Sequence, residues 1–113
     1  MILRELKVTE MISITDENFD SEVLTPPELT LVYFWADWCK TCPAMKKILE
    51  RFADEGTGIN IVSLDVEKNS KTALKYGVRN LPTIFFFKNG TVVTQEIGTI
   101  PLSKLKEIVS NIP

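Results

Sequence analysis

Apolar residues along this chain follow two patterns, which predict strands and helices. Residues 29–36 and 59–66 are apolar almost throughout and rich in β-forming side chains, which is typical of strands covered on both faces of a parallel sheet. Between these runs, apolar side chains recur at the spacing i, i+3, i+4 and i+7: Met45, Ile48, Leu49 and Phe52. This spacing predicts an amphipathic helix. The order strand, helix, strand predicts a right-handed crossover that places the two strands side by side.

The N-terminal part of the chain predicts a short strand and a helix. Residues 12–14 are expected to form the strand. Thr15 can cap the helix, because a threonine oxygen accepts hydrogen bonds from the free amides of a first turn. Phe19 and Val23 would form the inner face of that helix. Residues 1–9 are mixed and charged without a clear period, so we expect them to be a short extension.

Two further helices are predicted after the second apolar run. The first is short, extends to Tyr76, is capped by Asn69 or Ser70, and is closed by Gly77. The second begins near Pro101, a residue that suits a helix N-terminus. It carries one apolar stripe: Leu105, Ile108, Val109 and Ile112.

A β-hairpin is predicted between these two helices. Residues 83–87 and 92–97 are rich in β-forming side chains, and Asn89-Gly90 lies between them. An Asn-Gly pair is a strong signal for a two-residue hairpin turn. Added to the parallel pair, the hairpin makes one mixed sheet with an antiparallel edge.

Both cysteines of the chain lie where the first apolar run gives way to the amphipathic helix. Pro43 limits the start of this helix, because proline lacks an N–H and is tolerated only in the first turn. We therefore expect the helix to begin near Lys40, with the sulfur of Cys39 at its N-terminal edge and Cys42 one turn further in. Free amides and the positive end of the helix dipole favour a thiolate at this edge. Cys39 is thus the expected nucleophile.

Charged neighbours bear on the acidity of Cys39. Lys40 lies between the cysteines and is expected to favour the thiolate, whereas Asp37 acts against it. In a Cys-x-x-Cys motif at a helix start, the thiol pKa can fall from about 8.5 to about 7 or lower. The alternative for Lys40 is a solvated lysine without effect on the thiol, and this is our interpretation of Lys46 and Lys47.

Length and composition limit the classes of protein to which this chain can belong. Its 113 residues, 44% apolar and 25% charged, suit a single domain over residues 1–113. The net charge of −2 gives no basic footprint for nucleic acid, and no apolar run approaches the roughly 18 residues of a membrane span. We expect a cytoplasmic protein that binds neither nucleic acid nor membrane. In a reducing compartment its two cysteines would be redox-active or bind metal.

Four segments resemble the thioredoxin family in sequence and in spacing, within a match from about residue 10 to the C-terminus. They are residues 34–42, which include Trp38-Cys39 and Cys42, and residues 76–83, 87–90 and 97–98. The combination is highly specific, whereas Cys-x-x-Cys alone is a weak signal. The resemblance implies the thioredoxin fold, an α/β domain with one central mixed sheet of about five strands flanked by about four helices.

The resemblance also implies an activity and its partners. The activity is the reversible reduction of disulfides in other proteins, without a cofactor and without a metal. The substrates would be disulfide-containing proteins, and the electron donor would be a thioredoxin reductase. We expect the protein to act as a monomer.

Carried over residue by residue, the resemblance assigns roles at the site. Cys39 would be the attacking thiol, and Cys42 the resolving thiol that releases reduced substrate from a mixed disulfide. Pro82 would follow a cis peptide bond, so that the backbone of Leu81 can pair with an extended substrate segment beside Cys39. Together with Pro82, four residues would form the docking surface: Trp38, Leu81, Gly98 and Thr99.

The chain departs from the family near the motif. Lys40-Thr41 stands between the cysteines where typical members carry Gly-Pro, and we expect Lys40 to favour the reduced form and so raise the reduction potential. Tyr33 replaces a buried aspartate that is thought to help take the proton from the resolving thiol, and Ser63 replaces a lysine. Tyrosine titrates near about 10 and is a poor base at neutral pH. Resolution by Cys42 is therefore expected to be slow, or to use water or a substrate group.

Three other functions stay open at this point. The protein could be a thiol oxidase or an isomerase-like protein, which its potential and location would decide. It could bind zinc, although two cysteines without histidine would need carboxylates or a dimer to complete a closed site. It could also be a non-catalytic binding module on a thioredoxin fold, with dispensable cysteines.

Overall fold

The computed structural model describes residues 11–56 and 58–113, and the expected extension, residues 1–9, lies outside the described residues. The strands are β1 (Met11–Ile14), β2 (Thr30–Trp35), β3 (Asn60–Asp65), β4 (Thr83–Lys88) and β5 (Thr91–Ile97). The α-helices are α1 (Cys42–Asp54), α2 (Ser70–Lys75) and α3 (Leu102–Ser110), and a short π-helix (Asp20–Leu24) precedes β2. Within the described ranges, no helix is long and apolar enough to cross a bilayer.

The strands form one mixed sheet in the order β1-β3-β2-β4-β5. β3 runs parallel to β1 and β2, whereas β4 is antiparallel to β2, and β5 to β4. Asn89 and Gly90 join β4 to β5 and have positive φ angles of 53° and 77°, as a type I′ hairpin turn requires. The predicted α/β fold, with its mixed sheet and antiparallel edge, is confirmed.

The central strands β2 and β4 divide the core between the two faces of the sheet. Successive strand residues point to opposite faces, so Tyr33 lies with α1 and α3, whereas Phe34 lies with the π-helix and the segment after α2. The first core is completed by residues of α1 and α3: Met45, Leu49, Phe52 and Leu105. The second contains an aromatic cluster with ring centroids 5.4 to 6.1 Å apart: Phe19, Tyr76, Phe85 and Phe87. β2 is therefore covered on both faces, as predicted.

The predicted first helix is short and π-helical. Asn18 N donates to Thr15 Oγ1 (3.3 Å) and Thr15 N donates to Asn18 Oδ1 (2.7 Å), so Thr15 closes the turn that precedes the helix. The helix itself has Phe19 as its N-cap residue and no side-chain capping bond, so the predicted cap at Thr15 is wrong. The segment Asp20–Leu24 is wound more widely than an α-helix. Thr25 N donates to Asp20 O at 2.9 Å, and a bond between residues five apart is typical of a π-helix. The predicted inner face is buried at both of its positions: Phe19 and Val23.

The start of α2 is capped by a residue that is distant in the sequence. Asn69 occupies the N-cap position, but its side chain makes no capping bond and instead accepts from Asp16 N at 2.9 Å. Asp16 supplies the cap, since its Oδ1 accepts from Thr72 N (2.9 Å) and Thr72 Oγ1 (2.7 Å), and its Oδ2 accepts from Lys71 N (3.3 Å). The predicted N-cap position at Asn69 is confirmed, but the capping bonds go to Asp16 instead of the Asn69 side chain. A carboxylate offers both oxygens to free amides and carries the charge that a helix N-terminus favours.

This cap makes the stability of the protein depend on the charge of Asp16. Burial favours the neutral acid, but hydrogen bonds from Thr72 and Lys71 outweigh burial and hold the pKa of Asp16 below its ordinary value. The cap therefore contributes fully above the ordinary aspartate pKa of about 3.9 and is lost as the pH falls through the lower pKa of the folded state.

Asp16→Asn is expected to lower the free energy of unfolding by about 0.5–1 kcal/mol near neutral pH, the lower part of the range for a cap because the carboxylate is partly exposed. Urea unfolding near neutral pH and near pH 3 checks this, and the difference from wild type should shrink at the lower pH. Glu17→Gln, one residue away, is the matched control. An equal loss in both variants would contradict the cap.

Candidate active site

The cysteine motif begins where β2 ends, at one edge of the sheet. β2 stops at Trp35, the chain turns through residues 36–41, and α1 begins at Cys42. The predicted helix start near Lys40 is therefore wrong by two residues, and Cys42 is the first helical residue instead of lying one turn in. Pro43 falls in the first turn, as predicted, because the amide hydrogen it lacks has no partner there.

Cys39 and Cys42 are joined by a disulfide, with their Cα atoms 5.4 Å apart, a usual separation for a disulfide. Cys39 is 6% exposed and Cys42 is 2% exposed, and both belong to a core that includes Met45 and Ile100. Cys39 is thus less exposed than we expected for a sulfur at the N-terminal edge of a helix. Cys39 is nevertheless the more accessible of the two, which agrees with the role expected for it.

Exposed residues surround the disulfide in the sequence. Trp38 is 61% exposed directly before Cys39, and Lys40 and Thr41 are exposed between the cysteines. Thr41 is the N-cap residue of α1, and its Oγ1 lies 3.8 Å from Cys39 Sγ, within reach of a long hydrogen bond to sulfur. The Thr41 hydroxyl is therefore placed to act on the reactive sulfur directly.

A second segment meets the motif at the same edge of the sheet. Phe34 pairs with Thr83 in the antiparallel ladder of β2 and β4, so the residues after β2 and the residues before β4 are neighbours. The Leu81–Pro82 peptide bond is cis, as predicted, and Pro82 O accepts from Gly98 N at 2.8 Å. The structure thus brings Leu81, Pro82 and Gly98 together at the edge that holds the disulfide.

The end of β5 adds exposed residues to this edge. Thr99, which was assigned to the docking surface, is exposed beside Gly98. Ile97 pairs with Thr83 and is also exposed, although sequence reasoning gave it no role. Ile97 could have been identified from the sequence because it is an apolar residue on an edge strand, directly before Gly98. Exposure of an apolar side chain at such a position is unfavourable unless a partner binds there.

Tyr33 lies beneath the motif. Its side chain is buried, and its hydroxyl donates to Cys42 O at 2.7 Å. Burial, together with the negative charge of Glu50, raises the pKa of Tyr33 to about 12. Tyr33 is therefore a protonated donor at physiological pH and cannot accept a proton from Cys42. Ser63 pairs with Tyr33 across β2 and β3, so the position that lacks the lysine is its direct neighbour in the sheet.

A metal centre was one of the open alternatives. Among residues 11–56 and 58–113, no three side chains of cysteine, histidine, aspartate or glutamate are grouped so that they could hold a metal ion. The sulfurs of Cys39 and Cys42 are bonded to each other. Reduction of this disulfide yields a dithiol, which can exchange with other disulfides.

Sequence comparison finds relatives that match the chain almost from end to end. The family model described as Thioredoxin matches residues 10–111. Thioredoxin C-2 from Corynebacterium nephridii is 42% identical over 100 residues, which cover 88% of this chain and 93% of that protein. Thioredoxin from Haemophilus influenzae is 34% identical over 104 residues, which cover 91% of this chain and 97% of that protein.

A solved structure shows the same likeness in three dimensions. The crystal structure of thioredoxin from Malassezia sympodialis aligns with a TM-score of 0.83 and 27% sequence identity, and the alignment covers 92% of this chain and 91% of that one. The family model, the relatives and the solved structure therefore agree with one another. This chain belongs to the thioredoxin family and is a protein-disulfide oxidoreductase.

Proposed function

We propose that this protein reduces disulfides in partner proteins, with Cys39 as the attacking thiol and Cys42 as the resolving thiol. The observation that carries the proposal is the disulfide between the more exposed cysteine and the first residue of α1. Because its sulfur is bonded to that of Cys42, the Cys39 sulfur lies at the positive end of the helix although its backbone precedes α1. On reduction, free amides and the helix dipole would stabilise a thiolate there.

The reaction is a two-step exchange. The Cys39 thiolate attacks one sulfur of the substrate disulfide, a bond forms between the two, and the other substrate sulfur leaves as a thiolate. Cys42 then loses its proton and attacks the Cys39 sulfur, so that the Cys39–Cys42 disulfide forms and the second substrate sulfur leaves. The substrate gains the electron pair that the dithiol loses, and the substrate thiolates take up protons from solvent and from Cys42.

The substrate would bind along the edge that holds the disulfide. An extended segment would pair with the backbone of Leu81 as an added strand, next to Pro82 and the narrow opening to Cys39. The exposed ring of Trp38 would cover one part of the segment. Gly98 and Thr99 would contact it from the end of β5. The bond from Gly98 N to Pro82 O supports this assignment, since it joins β5 to the cis-proline segment.

Tyr33 would position the resolving cysteine and would take no part in proton transfer. Its hydroxyl already donates to Cys42 O, and its pKa of about 12 excludes it as a base near neutral pH. The proton of Cys42 would therefore leave to water or to a substrate group. The resolving step should be slow for this reason.

Tyr33→Asp is expected to speed the breakdown of a mixed disulfide on Cys39 by about tenfold or more, because a positioned general base typically contributes about 10²–10⁴-fold. Stopped-flow release of the substrate thiol measures the rate. Tyr33→Phe is the matched control, since it keeps the ring, costs about 1 kcal/mol of stability and should leave the pH dependence of breakdown unchanged. A folded Tyr33→Asp protein with an unchanged rate would overturn this role.

Lys40 would make the protein more oxidising than an ordinary thioredoxin. Its exposed ammonium group adjoins Cys39 in the sequence and would favour the dithiol form, which carries the thiolate. We expect a reduction potential above about −270 mV, and a fall of about 10–20 mV in Lys40→Gln, because an exposed charge contributes roughly 0.5–1 kcal/mol.

Equilibration with glutathione mixtures measures both potentials. A wild-type value at or below about −270 mV would contradict the effect of Lys40. A value near about −120 to −180 mV would instead support the oxidase or isomerase-like alternative. The measurement therefore also decides the direction of the proposed reaction.

We also propose that a thioredoxin reductase restores the dithiol and that the protein works as a monomer in the cytoplasm. Members of the family generally act on disulfide-containing proteins and are reduced by thioredoxin reductase, which supports the first part. A dithiol reductant requires a reducing compartment, which supports the second. Nicotinamide oxidation by thioredoxin reductase in the presence of the oxidised protein tests the electron donor.

A further inference from the structure

The outer face of α2 carries an exposed leucine between two lysines. Leu74 is 78% exposed, more than Trp38 beside the disulfide. Lys71 and Lys75 are exposed as well, and residues three and four apart lie on the same side of a helix. The opposite side of α2 is buried at Thr72 and Ala73, so this face cannot turn inward. A single exposed leucine is ordinary, but basic residues next to this one suggest that the two together bind a partner.

Positive charge is concentrated in this part of the chain. Residues 68–82 contain four basic residues and no acidic residue, although the chain as a whole has a net charge of −2. Arg79 is exposed, as are Lys71 and Lys75. Of the described carboxylates, none lies within ion-pair distance of these three side chains. Their positive charge is therefore available to a partner.

The face is also held rigidly. The Asp16 carboxylate binds the amides of Lys71 and Thr72, which offsets part of the charge at the first turn but fixes the helix. At the other end, Lys75 Nζ lies 5.7 Å from the ring centroid of Tyr76, and that ring is part of the aromatic core. A partner would thus meet a surface that needs little ordering on binding.

This face is close to the site along the chain. Arg79 precedes Pro82 by three residues, which corresponds to at most about 11 Å of extended chain, and Lys75 precedes it by seven, at most about 25 Å. A substrate segment of roughly eight residues that pairs with Leu81 could therefore reach the face. We propose that the α2 face, formed by Lys71, Leu74 and Lys75 on the helix together with Arg79 in the segment that follows it, docks an acidic segment with an aliphatic side chain next to the disulfide of a partner protein.

This inference rests on the proposed function and names the substrate class. Clustered charge of one sign raises association rates with partners of the other sign, and the effect weakens as salt screens it. The α2 face would therefore select among disulfides by their flanking residues, whereas Cys39 would supply the same chemistry to all of them. Leu74 would add an apolar contact that salt does not screen.

Two synthetic disulfide peptides of equal length test the proposal, one with glutamate and leucine and the other with glutamine and leucine beside the disulfide. Stopped-flow tryptophan fluorescence follows oxidation of the reduced protein. We expect the acidic peptide to react about tenfold faster at low ionic strength, and this advantage to disappear near 1 M salt. Equal rates for the two peptides at low salt would overturn the proposal.

Variants locate the effect on α2. Lys75→Glu should remove most of the advantage of the acidic peptide, and the milder Lys75→Gln should reduce it. Lys104→Glu is the matched control with the same charge change, on α3 at the opposite face of the sheet, and should keep the advantage. Leu74→Ser should slow both peptides severalfold without changing the salt dependence. Retention of the full advantage in Lys75→Glu would contradict the assignment.

A small neutral disulfide distinguishes failure of the proposed function from failure of the docking proposal. Bis(2-hydroxyethyl) disulfide has no flanking residues, so its reduction reports on Cys39 and Cys42 alone. If the wild-type protein does not reduce it, the proposed function fails. If it is reduced at equal rates by wild type and Lys75→Glu while both peptides also react equally at low salt, only the docking proposal fails.

Discussion

Cys42→Ser is expected to abolish turnover and to trap partner proteins on Cys39. Without the resolving thiol, the mixed disulfide formed by Cys39 has no intramolecular route to breakdown. Disulfide reduction should fall by about 10³-fold or more, to the level of uncatalysed exchange. Mixed disulfides should accumulate and be released by dithiothreitol, and mass spectrometry of the captured proteins would identify the substrates.

Cys39→Ser is the matched control for trapping. It should lose turnover to the same extent but capture no partners, because Cys42 is 2% exposed and deeper than Cys39. Comparable adducts on Cys42 in this variant would contradict the assigned roles. Full function in a variant that lacks both cysteines would support a non-catalytic binding module instead.

Gly90→Ala is expected to lower the free energy of unfolding by about 2–5 kcal/mol. Gly90 has a φ of +77°, which costs other residues about 1–2 kcal/mol, and a Cβ at this position would lie 2.7 Å from the carbonyl oxygen of Leu24. That oxygen belongs to the backbone at the end of the π-helix, so it cannot move aside as a flexible side chain would. Strain from overpacking therefore adds about 1–3 kcal/mol.

Gly77→Ala is the matched control for this substitution. Gly77 has a similar φ of +69°, but a Cβ there would meet no atom within 4 Å. Its cost should be that of the backbone conformation alone, about 1–2 kcal/mol. Urea unfolding of both variants measures the difference. Equal losses would show that the hairpin does not press against the π-helix as described.

Much of the fold could be predicted from local patterns. The runs that form β2 and β3 are apolar because both faces of these strands are covered. The Asn89-Gly90 pair predicted the hairpin turn because this turn requires positive φ angles, which asparagine and glycine adopt readily. The cap of α2 could not be predicted. Asp16 is separated from Thr72 by more than fifty residues, and only the paired strands bring these two parts of the chain together.

The site shows the same division between local and long-range information. Spacing and family resemblance placed Cys39 and Cys42 at a helix start and a cis bond at Pro82, and both features are present. The exact first residue of α1 was missed because proline is compatible with several positions in a first turn. The bond from Tyr33 to Cys42 O depends on how β2 lies against α1, which no local pattern encodes.

The acidity of Cys39 tests the central claim most directly. In reduced Cys42→Ser protein, the rate of alkylation by iodoacetamide as a function of pH gives the pKa of the single remaining thiol. We expect a value of about 7 or lower, because the sulfur lies at the N-terminus of α1. A value near about 8.5, that of an ordinary cysteine, would contradict the claim that the helix start activates Cys39.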